Sequence, residues 1–199
     1  DRVIAEIRKH ASRCSAIIVS DYMKGCITRQ VMQTAVSVGA ECGAPVLVDP
    51  KIPHLDYYNG ATIVTPNHHE AESATHRRVR SEEEARAAAR IFRERANCRD
   101  VLMTRGDQGI WLLSGGTEGH LPAASREVAD VTGAGDTVIA TLAVMLASGA
   151  TISEAARLAN EAAGIVVGKF GPATASAPEL LAAIRAHARV WRRAPEGGP

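Results

Sequence analysis

Short aliphatic, β-branched runs alternate with longer stretches of helical period along this chain. Residues 16–20 (AIIVS), 45–49 (PVLVD), 61–65 (ATIVT) and 101–104 (VLMT) read as buried strands, and 110–113 (IWLL) follows the last of these after a Gly-containing turn. Between and after them the pattern predicts helices over 28–40, 81–95, 136–148 and 153–168. A last helix is predicted from Ser176, with Pro178 at its first position and Glu179 in its first turn. Ser81 and Glu84 have the spacing of a capping box, and Gly149 ends the helix before it. Continuous apolar strands alternating with helices imply an α/β fold, a mainly parallel sheet flanked by helices on both faces.

In such sheets ligands gather at the carboxyl ends of the strands. That rule nominates Asp21, Tyr22 and Lys24, then Asp49 and Lys51, then Asn67 and Glu70, then Arg105, Gly106 and Asp107. Asp, Asn and Gly are also ordinary turn residues, whereas Lys, Glu and Tyr are harder to explain as turn chemistry.

Composition narrows the class. The 199 residues, 46% hydrophobic with a net charge of +1, describe an ordinary globular chain rather than a nucleic-acid binder. Arginines cluster at Arg77, Arg78 and Arg80 and again at Arg189, Arg192 and Arg193, both read as solvated segments. The four cysteines have neither disulfide-framework nor metal-site spacing, and no apolar run approaches a membrane span, so a cytoplasmic protein with reduced thiols is expected. The chain opens at Asp1 inside an amphipathic pattern (Val3, Ile4, Ile7), as the middle of a longer gene product would. One unit over 1–190 and a tail or linker over 191–199 are expected.

The segment Asp130-Val131-Thr132-Gly133-Ala134-Gly135-Asp136-Thr137 leads straight into a predicted helix. Glycines allow successive amides to point at one spot, and the helix N-terminus behind them favours an anion such as a phosphoryl group. Asp136 could simply cap the helix. Its carboxylate would repel a phosphate on the same amides, however, so a functional geometry turns it toward an incoming alcohol whose proton it accepts.

The octapeptide resembles the C-terminal signature of ribokinase-like (PfkB) carbohydrate kinases. No Gly-Lys-Ser/Thr of a Walker loop is present. The resemblance implies Asp136 as catalytic base, Gly133, Ala134 and Gly135 as the anion hole, and a monovalent cation such as K+ near Asp130 and Thr132. Thr65-Pro66-Asn67-His68-His69-Glu70 is similar to the family's Asn-x-x-Glu element, which implies Asn67 at the ATP phosphates and Glu70 as an indirect Mg2+ contact. Adjacent histidines are expected to face apart, and without thiolate partners a zinc site is not expected. Thr104-Arg105-Gly106-x-x-Gly109 is similar to a nucleotide-contacting turn, and Asn160 matches a position beside adenine, though a surface helix Asn would look the same.

Within the family, Ser20-Asp21-Tyr22-Met23-Lys24-Gly25 and Asp49-Pro50-Lys51 are similar to the branch that phosphorylates D-glycero-β-D-manno-heptose 7-phosphate for ADP-heptose and lipopolysaccharide synthesis. Asp21, Lys24 and Lys51 are then candidates for the substrate or its phosphates. Residues 168–172 (GKFGP) depart from the family's usual Gly-Thr ending. The family's Gly-Gly sugar-binding segment and small β-lid have no counterpart here, so the fold is expected to be incomplete at its N-terminus. Implied partners are a sugar phosphate and a second copy of the chain, with no membrane. Another sugar or nucleoside kinase, or a noncatalytic nucleotide-binding relative, stays open; a Rossmann NAD enzyme is disfavoured because Asp-Tyr-Met-Lys stands where its Gly-rich turn belongs.

Overall fold

The structure is a computed structural model that describes residues 2–124 and 128–191, the side chains of 188–191 excepted. Six strands form one sheet in the order of the chain: β1 (Ile17–Ser20), β2 (Val46–Asp49), β3 (Ile63–Val64), β4 (Asp100–Thr104), β5 (Ile110–Ser114) and β6 (Thr117–Leu121). β1 to β4 pair in parallel, with Val19 opposite Val48 and Val64 opposite Val101, and β5 and β6 add two antiparallel pairings. The helices are α1 (Arg2–His10), α2 (Arg29–Cys42), α3 (His68–Thr75), α4 (Glu82–Ala96), α5 (Ala134–Ala147), α6 (Ile152–Val167) and α7 (Ala177–Trp191).

Strand side chains alternate between two cores, as the period of two requires. Val46, Val48, Val101, Met103, Trp111 and Leu113 meet α2, α3 and α4 on one face. Leu47, Ile63, Leu102, Ile110 and Leu112 meet α5 and α6 on the other. Alanines 155, 156 and 159 on α6 and Ala143 on α5 are fully or nearly buried. Small side chains of this kind let the helices sit close to the sheet.

Several expectations shift. β6 was not read from the sequence, because Thr117-Glu118-Gly119-His120-Leu121 is polar and its side chains are only partly covered. The turn Gly115-Gly116 before it is the hairpin signal that announces it. β3 is shorter than expected, Ile63–Val64, although Thr62 and Thr65 on either side still donate to Val46 and Val48. α5 begins two residues before Asp136: Gly133, at φ 80°, is the N-cap and Asp136 stands three places in. Pro178 likewise lies one place deeper in α7 than expected. Ser81 and Glu84 form the predicted capping box. Arg77, Arg78 and Arg80 are exposed on the α3–α4 connection, while Arg192, Arg193, the Arg189 side chain and the tail after Trp191 lie outside the described residues.

Candidate functional site

The carboxyl ends of β1 to β4 and the N-termini of α3 and α5 open on one rim. β2 ends in Asp49, whose side chain accepts a hydrogen bond from Ser20 Oγ at 3.4 Å. Burial pushes the Asp49 carboxyl up to about 6; the Lys51 ammonium pulls the other way, and the Glu70 and Asp136 carboxylates add to the rise. That coupling places Asp49, Lys51, Glu70 and Asp136 in one electrostatic neighbourhood, drawn from three separate stretches of chain.

Lys51 Nζ donates to Glu70 Oε1 at 2.6 Å. Burial works against the ammonium, but the Glu70 contact, with Asp49 and Asp21 nearby, holds its pKa above the ordinary value. Glu70 Oε2 accepts the Asn67 amide at 3.0 Å while Asn67 Oδ1 accepts the Glu70 amide at 2.9 Å, a reciprocal cap for α3. Asn67 in turn bridges to Thr104 at the end of β4. The predicted Asn-x-x-Glu element therefore has both residues at the helix start, facing each other. Both Glu70 oxygens are engaged within the chain, and no cluster of three metal-ligating side chains exists among the described residues. Such carboxylates suit a Mg2+ that keeps its own waters, rather than an all-protein cage. Contrary to expectation, His68 and His69 do not face apart: their rings lie 3.9 Å between centroids. Burial and His69 hold the His68 imidazole below its ordinary pKa.

At α5, Thr137 makes the first helical bond, to the Gly133 carbonyl at 2.9 Å, and the Ala134 amide reaches back to Val131 O at 3.2 Å. The Gly135 and Asp136 amides find no acceptor among the described residues. Two free amides on a helix's first turn make an anion seat. Of the predicted hole, Gly133 forms the turn and the Ala134 amide is already bonded, which leaves the Gly135 and Asp136 amides as the free ones among the described residues. Gly133 needs its positive φ, which an L side chain would strain. The Asp136 side chain is exposed and caps nothing, so the capping explanation does not hold.

The β4–β5 turn behaves differently from the sequence reading in one respect. Arg105 is not a rim residue; it is 4% exposed and donates to Ser81 O at 3.2 Å and to the Gln108 side chain. Gly106 and Gly109 both adopt positive φ, and a Cβ on Gly109 would lie 2.2 Å from Leu121 O. An open pocket of about 640 Å³ beside the turn is lined by Arg105, Gln108, Pro122, Ala123 and Val128, among others. Asn160 Nδ2 donates to Pro122 O at 2.7 Å, which sets Asn160 at the border of that pocket.

Two predicted site residues serve the scaffold. Asp21 points inward, 1% exposed, and is not available to a ligand; its oxygens meet the Met23 amide at 2.8 Å, His54 Nδ1 at 2.7 Å and Tyr58 Oη at 2.9 Å. Asp130 Oδ1 accepts the Thr132 amide at 2.9 Å and Oδ2 the Gly171 amide at 3.2 Å. It therefore latches the signature to the divergent segment after α6, and Thr132 beside it is exposed. Lys24 is exposed and has no partner among the described residues. Sequence reasoning missed His54 and Tyr58, which lie in a 3-10 stretch without period; it placed Asp49 on the rim but gave it no role.

Comparisons with known proteins bear on the family and the fold. The sequence model described as pfkB family carbohydrate kinase matches residues 5–180. The bifunctional protein HldE of Syntrophotalea carbinolica is 44% identical over 190 residues, 94% of this chain and 39% of the relative. That of Geotalea uraniireducens is 44% identical over 185 residues, 92% of this chain and 38% of the relative. The chain thus spans about two-fifths of these relatives' length. Arabidopsis thaliana ribokinase, solved with ribose and ATP, superposes with a TM-score of 0.78 at 21% identity, over 90% of this chain and 59% of that one. Escherichia coli phosphofructokinase-2 with potassium gives 0.78 at 17% identity, over 94% and 62%. With the signature on the first turn of α5, the paired Asn67–Glu70 cap and the family match over most of its length, the chain belongs to the pfkB family of carbohydrate kinases.

Proposed function

We propose that this chain is the nucleotide-binding and catalytic part of an ATP-dependent sugar kinase, acting on D-glycero-β-D-manno-heptose 7-phosphate on the way to ADP-heptose for lipopolysaccharide. The observation that carries the reading is the α5 N-terminus: an exposed carboxylate beside two amides unpaired among the described residues, in a chain 44% identical to HldE proteins. Asp136 would accept the proton of the acceptor hydroxyl as that oxygen bonds to the γ-phosphorus and the bond to ADP breaks. The Gly135 and Asp136 amides, with the positive end of α5, would receive the charge on the transferring group. ATP would run from this seat past Asn67 and Thr104 toward the pocket lined by Asp107, Gln108 and Pro122, with Asn160 bonded to Pro122 at its border. Mg2+ would be held through water by Glu70 and Asp49, and when bound it offsets phosphate charge. K+ is proposed for the Asp130 region on the potassium-bound phosphofructokinase-2 likeness; Asp130 would have to keep its two amide bonds while contributing.

Lys24 and Lys51 support a phosphorylated acceptor. Lys51 is steered by its bond to Glu70 at the head of α3, while Lys24 is unpaired among the described residues, and an acceptor phosphate would lie between the two. A charge-assisted contact is worth about 1.5–3 kcal/mol, so the complete protein is expected to favour heptose 7-phosphate over heptose by roughly 10- to 150-fold in kcat/KM. Equal kcat/KM values for the two sugars would remove the heptose-phosphate assignment and leave a sugar kinase of unassigned acceptor.

A further inference from the structure

The loops that carry Lys24 and Lys51 meet beneath the rim at one carboxylate. Asp21 Oδ1 accepts the Met23 amide at 2.8 Å, directly before Lys24. Asp21 Oδ2 accepts Tyr58 Oη–H at 2.9 Å, and the same Tyr58 oxygen accepts the Lys51 amide at 2.7 Å. His54 Nδ1 donates to Oδ2 from the other side at 2.7 Å, because an ionised carboxylate can only accept. Tyr58 is fully buried and Asp21 nearly so. His54 stacks on Tyr57 at 4.5 Å with an 8° interplanar angle, and the Arg29 guanidinium lies 4.8 Å over Tyr57 on the segment Asp56 also anchors.

Three donors, the Met23 amide, the Tyr58 hydroxyl and His54, converge on this one buried side chain, and an apolar group there would leave each of them without its acceptor. The carboxylate supplies direction: it holds Met23, a non-glycine residue, at φ 53°, in the left-handed region that side chains disfavour. It also fixes the backbone at Lys51 through one intermediary hydroxyl.

We infer that Asp21 is a positioning residue whose buried carboxylate, acting through the Met23 amide and the Tyr58 hydroxyl, sets the spacing of Lys24 and Lys51 and so the enzyme's discrimination for a phosphorylated acceptor. The inference rests on the reading of these lysines as phosphate-binding groups. It calls for Tyr58→Phe and Asp21→Asn in the complete protein, assayed with heptose 7-phosphate and with heptose. Each variant is expected to lower the ratio of the two kcat/KM values about tenfold, the loss of one charge-assisted contact, while the value for heptose stays within about twofold. Tyr58→Phe keeps the ring and the core volume, so it carries the test where Asp21→Asn does not fold. A fall in both values together, or no change in their ratio, would overturn the inference, since a merely structural role moves both alike. Should the wild type transfer to neither sugar, the reaction reading fails instead. The positioning is then judged by acetylation of the lysines, followed by mass spectrometry. Faster labelling of Lys51 in Tyr58→Phe, with Lys9 unchanged as internal control, supports it; an unchanged Lys51 rate overturns it.

Discussion

Asp49 shows what the rim costs. Its folded carboxyl titrates near 6, mainly because it is buried, against 3.8 for an ordinary Asp. Between those values the folded state holds a proton that the unfolded state has released. Stability therefore falls as pH rises from about 4 to 6 and is level above that. The difference is of order 2–3 kcal/mol. Asp49→Asn should raise Tm by roughly 4–8 °C at pH 8 and leave it nearly unchanged at pH 4. A thermal shift of the same size at both pH values would contradict the burial account. A carboxylate kept at such a cost, beside Asp136 and Glu70, is what a site that receives a cation looks like. Residues of this kind were only half legible: the strand-end rule finds Asp49 and Lys51, but nothing in PVLVDPK tells that the aspartate is buried. Asp21 was nominated by the same rule and turned inward, because Tyr58 and His54 arrive from a stretch whose residues follow no period.

Among the elements, α3 joins stability to chemistry. Its cap uses Glu70 as an acceptor, a part glutamine also plays, while the ion pair with Lys51 needs the charge. Glu70→Gln should hold Tm within about 2 °C, since partly exposed ion pairs contribute little. It should raise the Mg2+ concentration for half-maximal rate severalfold, because hard cations seek charged oxygen. An unchanged Mg2+ midpoint in a titration at fixed ATP would confine Glu70 to the cap. Elements with a strong internal pattern were read from sequence to within a few residues: β1, β2, β4 and β5 from aliphatic runs, α4 from Ser81 and Glu84. The misses have local causes. β6 is held by pairing along β5 and by polar contacts of Glu118 and His120 that follow no apolar period, and the start of α5 is set by a left-handed glycine that no periodicity reveals.

In the whole molecule, two apolar layers hold a sheet whose four parallel strands, β1 to β4, bring their carboxyl ends to one rim. That arrangement follows from the alternation of strands and helices, which is why the fold class could be read before any motif. The site cannot be read in the same way, because it joins residues as far apart as Asp49 and Asp136. On the α5 side of β1, Ile18 is 45% exposed, and Val144 on α5 is 64% exposed. With the chain spanning 39% of the Syntrophotalea relative, activity is best tested in the longer protein. The most direct test of the central claim is the rate of phosphoryl transfer by that protein carrying Asp136→Asn, measured with ATP affinity on the same sample. The account predicts a kcat lower by about 10²–10⁴, the usual effect of losing a general base, with ATP Kd within roughly twofold. A variant that keeps more than about a tenth of the wild-type kcat would contradict it.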